Sequence, residues 1–529
     1  MNVSKIIKLV LVLFLTITSV HASSHLVRGN FAEPATLDPT LSEENSGTNI
    51  MRDLFEALMT EDGEGNVIPG QAQSYTISED KTVYTFKIRN NAKWSNGDAV
   101  TAHDFEYAFK RGVNPLSAAK YSWYFKILGI KNGAAILDGK MPVDSLGVKA
   151  LDNQTLKITL DKPIPYFLIG VAHITTAPIH QKTVEKLGNK WTRPGNMVSN
   201  GAYTLKQWVV NEKIVLSKNN NYYAKDKVKI DQVTFLPITD ASTELKRYKA
   251  GEIDFTTGIP KSQFKHLKKN YPNELKVLGK VGTYYYHLNM RKKPYDDVRV
   301  RKALSYAINR EVIAKKVQGS GELPAYTFVP NTISGYTPPT PSYELLTQKQ
   351  RNIKAIELLN EAGISKINPL KLELLYNTSD GHKRIALAVN SMWKRAFKGA
   401  VIVTLKNQEW KTFLEEKRLG NFEVGRAGWT GDYNEASTML DILTKGHSTN
   451  SSFYDNPMYD KLMNEARVTI DDKKRNKLYQ KIDLIITEDM PIIPIYQYAT
   501  VRMVKTRVGG YPKVNPLDTI YTRHLYLKK

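Results

Sequence analysis

From Thr82 to Arg89 the chain alternates, with Tyr84, Phe86 and Ile88 on one face and Thr85, Lys87 and Arg89 on the other. A period of two marks a half-buried strand. Between Gly147 and Leu160, Asp152-Asn153 separates two alternating runs, the later one setting Leu156, Ile158 and Leu160 against Lys157 and Thr159. That pattern predicts a hairpin. Elsewhere the period is helical: Val300, Ala303, Leu304, Ala307 and Ile308 share one face behind Asp297, which can cap the segment, and Asn309 can cap the next helix. Ile353, Ile356, Leu359 and Ala362 form a stripe ending at Gly363, and Asn456-Pro457 opens a segment with Tyr459, Leu462, Met463 and Ala466 aligned. All three stripes are expected to face the core. Pro338-Pro339-Thr340-Pro341 reads as a surface loop or a short extended segment inside a domain. Strand and helix signals interleave without a fixed repeat or a low-complexity segment, which predicts an α/β protein.

The N-terminus departs from this pattern. Lys5 and Lys8 precede an apolar run from Leu9 to Val20, followed by Val20-His21-Ala22. The run is too short for a membrane span, so residues 1–22 are expected to be a cleaved signal peptide. A mature chain from Ser23 is long enough for two or three domains. There is no Cys, which excludes disulfides, thiolate metal sites, a cysteine nucleophile and a lipid-modified N-terminal Cys. The expected address is the periplasm of a Gram-negative cell, without a lipid anchor. The formal charge of +23 is spread along the chain, with only short basic runs such as Lys265 to Lys269. With a periplasmic address, this argues for solubility and attraction to anionic envelope surfaces rather than for a nucleic-acid partner.

The segment with most chemistry is Ala427-Gly428-Trp429-Thr430-Gly431-Asp432-Tyr433-Asn434, where one carboxylate stands between turn-forming and aromatic residues. A carboxylate among aromatics loses solvation, so a cation or several donors must approach it. Gly-Asp-Tyr-Asn is also an ordinary turn composition, in which an Asp caps backbone. Enzyme signatures are missing: there is no paired-His zinc motif, phosphate loop or Gly-x-Ser-x-Gly elbow, and the ten His residues are scattered. The chain is therefore read as a non-enzyme, with no metal or organic cofactor.

Several strings resemble the family-5 solute-binding proteins. They are Pro69-Gly70-Gln71-Ala72, Asn91 to Asp98 followed by Thr101-Ala102-His103-Asp104-Phe105, Asn200 to Leu205, Asp297 to Leu304, and the octet above. Leu54-Phe55-Glu56, Tyr284-Tyr285-Tyr286, Leu374 to Asp380 and Asn407 to Leu414 are similar to the oligopeptide-binding branch of that family and to its murein-tripeptide relative. The resemblance implies a two-lobed, three-domain periplasmic binding protein fold of type II, cluster C, with a hinged ligand cleft. Domain I would hold residues 23–55, 181–281 and 500–529, domain II 56–180 and domain III 282–499, with the hinge near 281 and 499. It also implies a monomer that captures short peptides for an inner-membrane ABC permease.

By the same resemblance, Asp432 would hold the ligand's α-ammonium. Glu43 and Asn45, facing Trp429 and Thr430, would hold its backbone like an added strand, a mode that is blind to side chains. Tyr121, Trp410, His382 and Tyr498 match pocket residues, and Arg426 matches a basic residue for the ligand carboxylate. Three positions depart from the branch: Lys417 stands where an Arg is usual, His287 where an acid occurs and Gln318 where a Lys occurs. Lys lacks the planar fork of Arg, so no bidentate clamp can form at 417. A different length preference, or tolerance of an unusual acid, is the expected consequence. Murein tripeptide recycling, with Arg418 and Lys417 as added cations, is the second reading. A periplasmic chaperone holding unfolded segments is a third, of another class.

Overall fold

A computed structural model describes residues 24–528. The expected signal peptide lies outside the described residues. Three larger sheets organise the chain. In the first, His25–Gly29 pairs in parallel with Gln232–Leu236, and Lys213–Lys218 and Tyr203–Val209 follow antiparallel. The second is an antiparallel sheet of Ala72–Ile77, Val83–Ile88, Thr155–Thr159 and Val148–Asp152, in that order. It contains the strand and the hairpin read from the alternation, with Tyr84, Phe86, Ile88, Leu156 and Ile158 all buried. The hairpin turn falls on Asn153-Gln154, one residue later than expected. Both sheets feed one continuous apolar core.

The third sheet is mixed and six-stranded: Leu323–Pro324, Ile492–Met503, Leu275–Leu288, Val424–Thr430, Leu370–Asn377 and Val401–Gln408. Two further clusters of buried residues pack on its faces. The long strands Leu275–Leu288 and Ile492–Met503 run antiparallel with a break in register, Gly279 facing Ala499 and Thr283 facing Gln497. Such an irregularity bends a strand and interrupts its ladder.

The helix signals are reproduced with one correction. Asp297 accepts from Arg299 N at 2.8 Å and starts Val298–Tyr306, whose Val300, Ala303 and Leu304 are buried. Asn456 caps Pro457–Val468, which buries Tyr459, Met463 and Ala466. The helix Gln348–Glu361 forms as well, but Ile353 and Ile356 are exposed, not core. Steps of three residues drift about 60° per step around a helix of 3.6 residues per turn. The face that packs follows steps of four instead: Arg351, Ala355 and Leu359.

Candidate functional site

Two chambers lie between the first two sheets and the third. One, of about 650 Å³, is lined by Glu43, Asn45, Tyr121, Trp410, Trp429, Thr430 and Asp432 among others. The second, of about 600 Å³, includes Arg28, Lys261, Glu322, Tyr498 and Arg502. Glu44, Asn45, Arg52, Lys280, Thr430 and Leu517 line both, so the chambers adjoin.

The N-terminal wall is fixed by a buried carboxylate. Asp38 takes two 2.7 Å bonds from Arg111 and one of 3.1 Å from Trp191 Nε1. This ties down the turn that leads to Glu43. The segment is not itself a strand: Glu44 accepts from Gly47 N at 2.9 Å, and Asn45 opens the helix Asn45–Leu54. Glu43 is exposed and paired with Lys120.

The facing wall is Val424–Thr430. Its inner edge pairs with Leu275–Leu288 as far as Thr430 opposite Gly282. Its other edge pairs with Leu370–Asn377 only at Val424 and Gly425. Beyond those positions the strand presents an edge to which an extended chain can add. Trp429 donates its indole N–H to Thr438 O at 2.7 Å, and Thr438 Oγ1 accepts from Asp432 N at 2.9 Å. One threonine thus holds both the aromatic and the acid in place.

Asp432 is half-buried, and among the described residues no cation pairs with it. Tyr121 Oη donates to Asp432 Oδ1 at 2.7 Å. Burial pushes the carboxyl up to about 6, against the opposing effect of that bond. A carboxylate held in this condition is short of positive charge, and a ligand ammonium would supply it. His173 stacks on Tyr121 with ring centres 5.7 Å apart, and burial, helped by Arg52, pushes it down to about 3, so it stays neutral. Trp410 stands exposed at the rim, stacked on Phe413 at 5.8 Å.

The remaining expected residues are distributed differently. Tyr498 lines the second chamber, its hydroxyl packed so closely over Gly428 that a Cβ there would lie 2.1 Å away. Arg426 belongs to the same strand as Gly428, its guanidinium 5.0 Å from the Tyr284 ring and 3.5 Å from Asn377 Oδ1. His382 lies 5.7 Å from the same ring, and burial and Arg426 push it down to about 3. His287 is buried and bonds Ser452 Oγ through Nδ1 at 2.7 Å. Lys417 lines a separate cavity of about 380 Å³ with Arg291, Arg418 and Lys445. Burial, with Arg426 adding to it, pushes Lys417 down to about 7. Gln318 is buried and bonded to Lys261. Sequence reasoning missed Arg52, Glu61, His173 and Lys280. None belongs to a motif, and only the fold gathers them.

A binding cleft between sheet layers is what the fold defines. The family model for bacterial extracellular solute-binding proteins, family 5, matches residues 66–451, and the chain belongs to that family. It is 45% identical over 505 residues to the periplasmic oligopeptide-binding protein OppA of Salmonella typhimurium, covering 95% of this chain and 92% of the relative. It is also 45% identical over 504 residues to the periplasmic murein peptide-binding protein MppA of Escherichia coli, covering 95% and 93%. Among solved structures, Haemophilus influenzae OppA in complex with RPPGFSPFR is 43% identical, with a TM-score of 0.84 over 96% of this chain and 99% of that one. These relatives are periplasmic binding proteins, and among the described residues no helix is long and apolar enough to cross a membrane.

Proposed function

We propose that the protein is the periplasmic substrate-binding component of an ABC importer for short oligopeptides. The observation that carries this reading is Asp432, a half-buried carboxylate without a cation, at the end of a strand with an open edge. The ligand's α-ammonium pairs with Asp432 while its backbone adds to Arg426–Thr430. Main-chain bonds are common to all peptides, so affinity comes without sequence selectivity. Solute-binding families carry ligand rather than transform it, and the cleft functions without catalysis.

The domain partition given above completes the mechanism. Its two crossings, near 281 and 499, neighbour each other at the register break of the paired long strands. A break in the ladder is a suitable place for the backbone to absorb a lobe rotation. Ligand shifts the lobes only because it binds the closed form better than the open one. The closed form docks on the permease as a monomer released from its signal peptide. A murein-type peptide is the second reading, favoured by the equal identity to MppA.

Titration calorimetry on refolded, ligand-free protein tests the reading with trilysine and its N-acetylated form. Tight binding of the free peptide alone is the expected result. Equal binding of both would remove Asp432 as the anchor, and binding of neither would move the murein-type reading first.

A further inference from the structure

Lys280 is carried on Leu275–Leu288 and lines both chambers. The neighbouring Val281 is held on two sides: its N–H donates to Pro516 O at 2.6 Å and its carbonyl accepts from Gly431 N at 3.0 Å. The lysine therefore stands on a fixed backbone. It is half-buried, yet among the described residues it has no hydrogen bond or ion pair. The carboxylate that attracts it, Asp518, is already held by two 2.7 Å bonds from Arg502.

Other cations add to this field. Arg28 is 3% exposed, lies between Phe235 and Phe255 at 4.9 and 4.5 Å, and lines the second chamber. Its Nε and Nη1, like Nε of Arg502, have no acceptor. Arg52 lines both chambers in the field of Glu61. The other acids of the second chamber are engaged: Glu44 caps a helix and Glu322 holds Lys261 at 2.7 Å. Asp432 shares the first chamber with Lys280, but among the described residues no ion pair joins them, and Tyr121 Oη donates to the acid instead. The cleft thus has an acid end and an unmatched cationic end. Buried donors without acceptors are unfavourable until an acceptor arrives.

Building on the peptide reading, we propose that Lys280 binds a ligand carboxylate, so that the protein favours short peptides carrying an anion besides the free α-amine held by Asp432. The carboxylate is either an acidic side chain or the C-terminus. Calorimetry with Ala-Glu-Ala, Ala-Gln-Ala and the C-terminal amide of each separates these sources. Wild type is expected to prefer Glu over Gln about tenfold, or free acid over amide about tenfold, as expected for a charge-assisted bond. In Lys280→Gln that ratio falls to near one, while Lys280→Arg retains it and shows that the site still folds. Ratios near one in wild type, or a ratio unchanged in Lys280→Gln, overturn the proposal and leave the peptide reading intact. Failure of every free-amine peptide to bind overturns both.

Discussion

The Tyr121 hydroxyl donates to Asp432 Oδ1 across 2.7 Å, joining residues 311 positions apart in the chain. The bond orients the acid from the opposite wall of the cleft and partly offsets the desolvation of its charge. It leaves the other carboxylate oxygen available to a ligand ammonium.

Burial raises the Asp432 carboxyl from its ordinary 3.8 to about 6. A carboxyl raised on folding destabilises the fold when ionised: the penalty is absent below about pH 4 and full above about pH 6. Ligand-free Asp432→Asn should therefore be more stable than wild type at pH 8, by about 1 kcal/mol after allowing for screening at a partly exposed group. Thermal melts at pH 8 and pH 4 measure this, and the gap should vanish at the lower pH. An ammonium favours the ionised form, so peptide binding at pH 6 should release roughly half a proton, read by calorimetry in buffers of different ionisation enthalpy.

Binding itself should depend on the acid. Asp432→Ala removes the partner of a buried ammonium, a loss of roughly 3 to 5 kcal/mol for a fully buried pair. Peptide affinity measured at pH 7.5 is expected to fall more than a hundredfold, and normal affinity would exclude this assignment.

Tyr121→Phe removes one donor from a charged acceptor, worth roughly 1.5 to 3 kcal/mol. Affinity should fall about tenfold at neutral pH. Without that bond the carboxyl rises further, so the pH below which binding fails should move upward. A pH series of dissociation constants for both proteins checks this, and an unshifted profile would count against the bond.

Gly431 is held by packing, because a Cβ there would lie 2.5 Å from Val281 Cγ1 and 2.7 Å from Thr438 Cγ2. Gly431→Ala should destabilise the protein by about 1 to 3 kcal/mol through overpacking. Because Thr438 also bonds Asp432 N, peptide affinity should drop as well. Denaturant unfolding and calorimetry on one preparation give both numbers.

The ion pair of Lys261 with Glu322 connects segments that the proposed partition puts in different lobes. Glu322→Gln should weaken peptide binding by about 0.5 to 1 kcal/mol, as for other partly exposed pairs, with an effect that fades at high salt. A salt-independent change would argue for a packing role instead.

Local pattern made parts of the fold legible. Tyr84, Phe86 and Ile88 are buried as their alternation required, and Asn456 caps the helix its Asn-Pro pair announces. Ile353 and Ile356 show where pattern failed: two faces of that helix offered apolar residues, and which one packs depends on the neighbours. At the site, the octet around Asp432 stood out through its mixture of acid, small and aromatic residues. Lys280 gave no such signal, since one lysine in a strand resembles any solvent-facing position.

By itself the sequence determined the α/β class and the family and singled out Asp432 as the candidate anchor, because these readings depend on local periodicity and on ordered strings of residue types. Only the tertiary structure decided which groups meet Asp432, which chamber each cation lines and which donors lack acceptors. Those relationships join residues hundreds of positions apart, as Tyr121 and Asp432 do. Burial and Coulomb interaction depend on distance in space, and only the packed fold determines that distance.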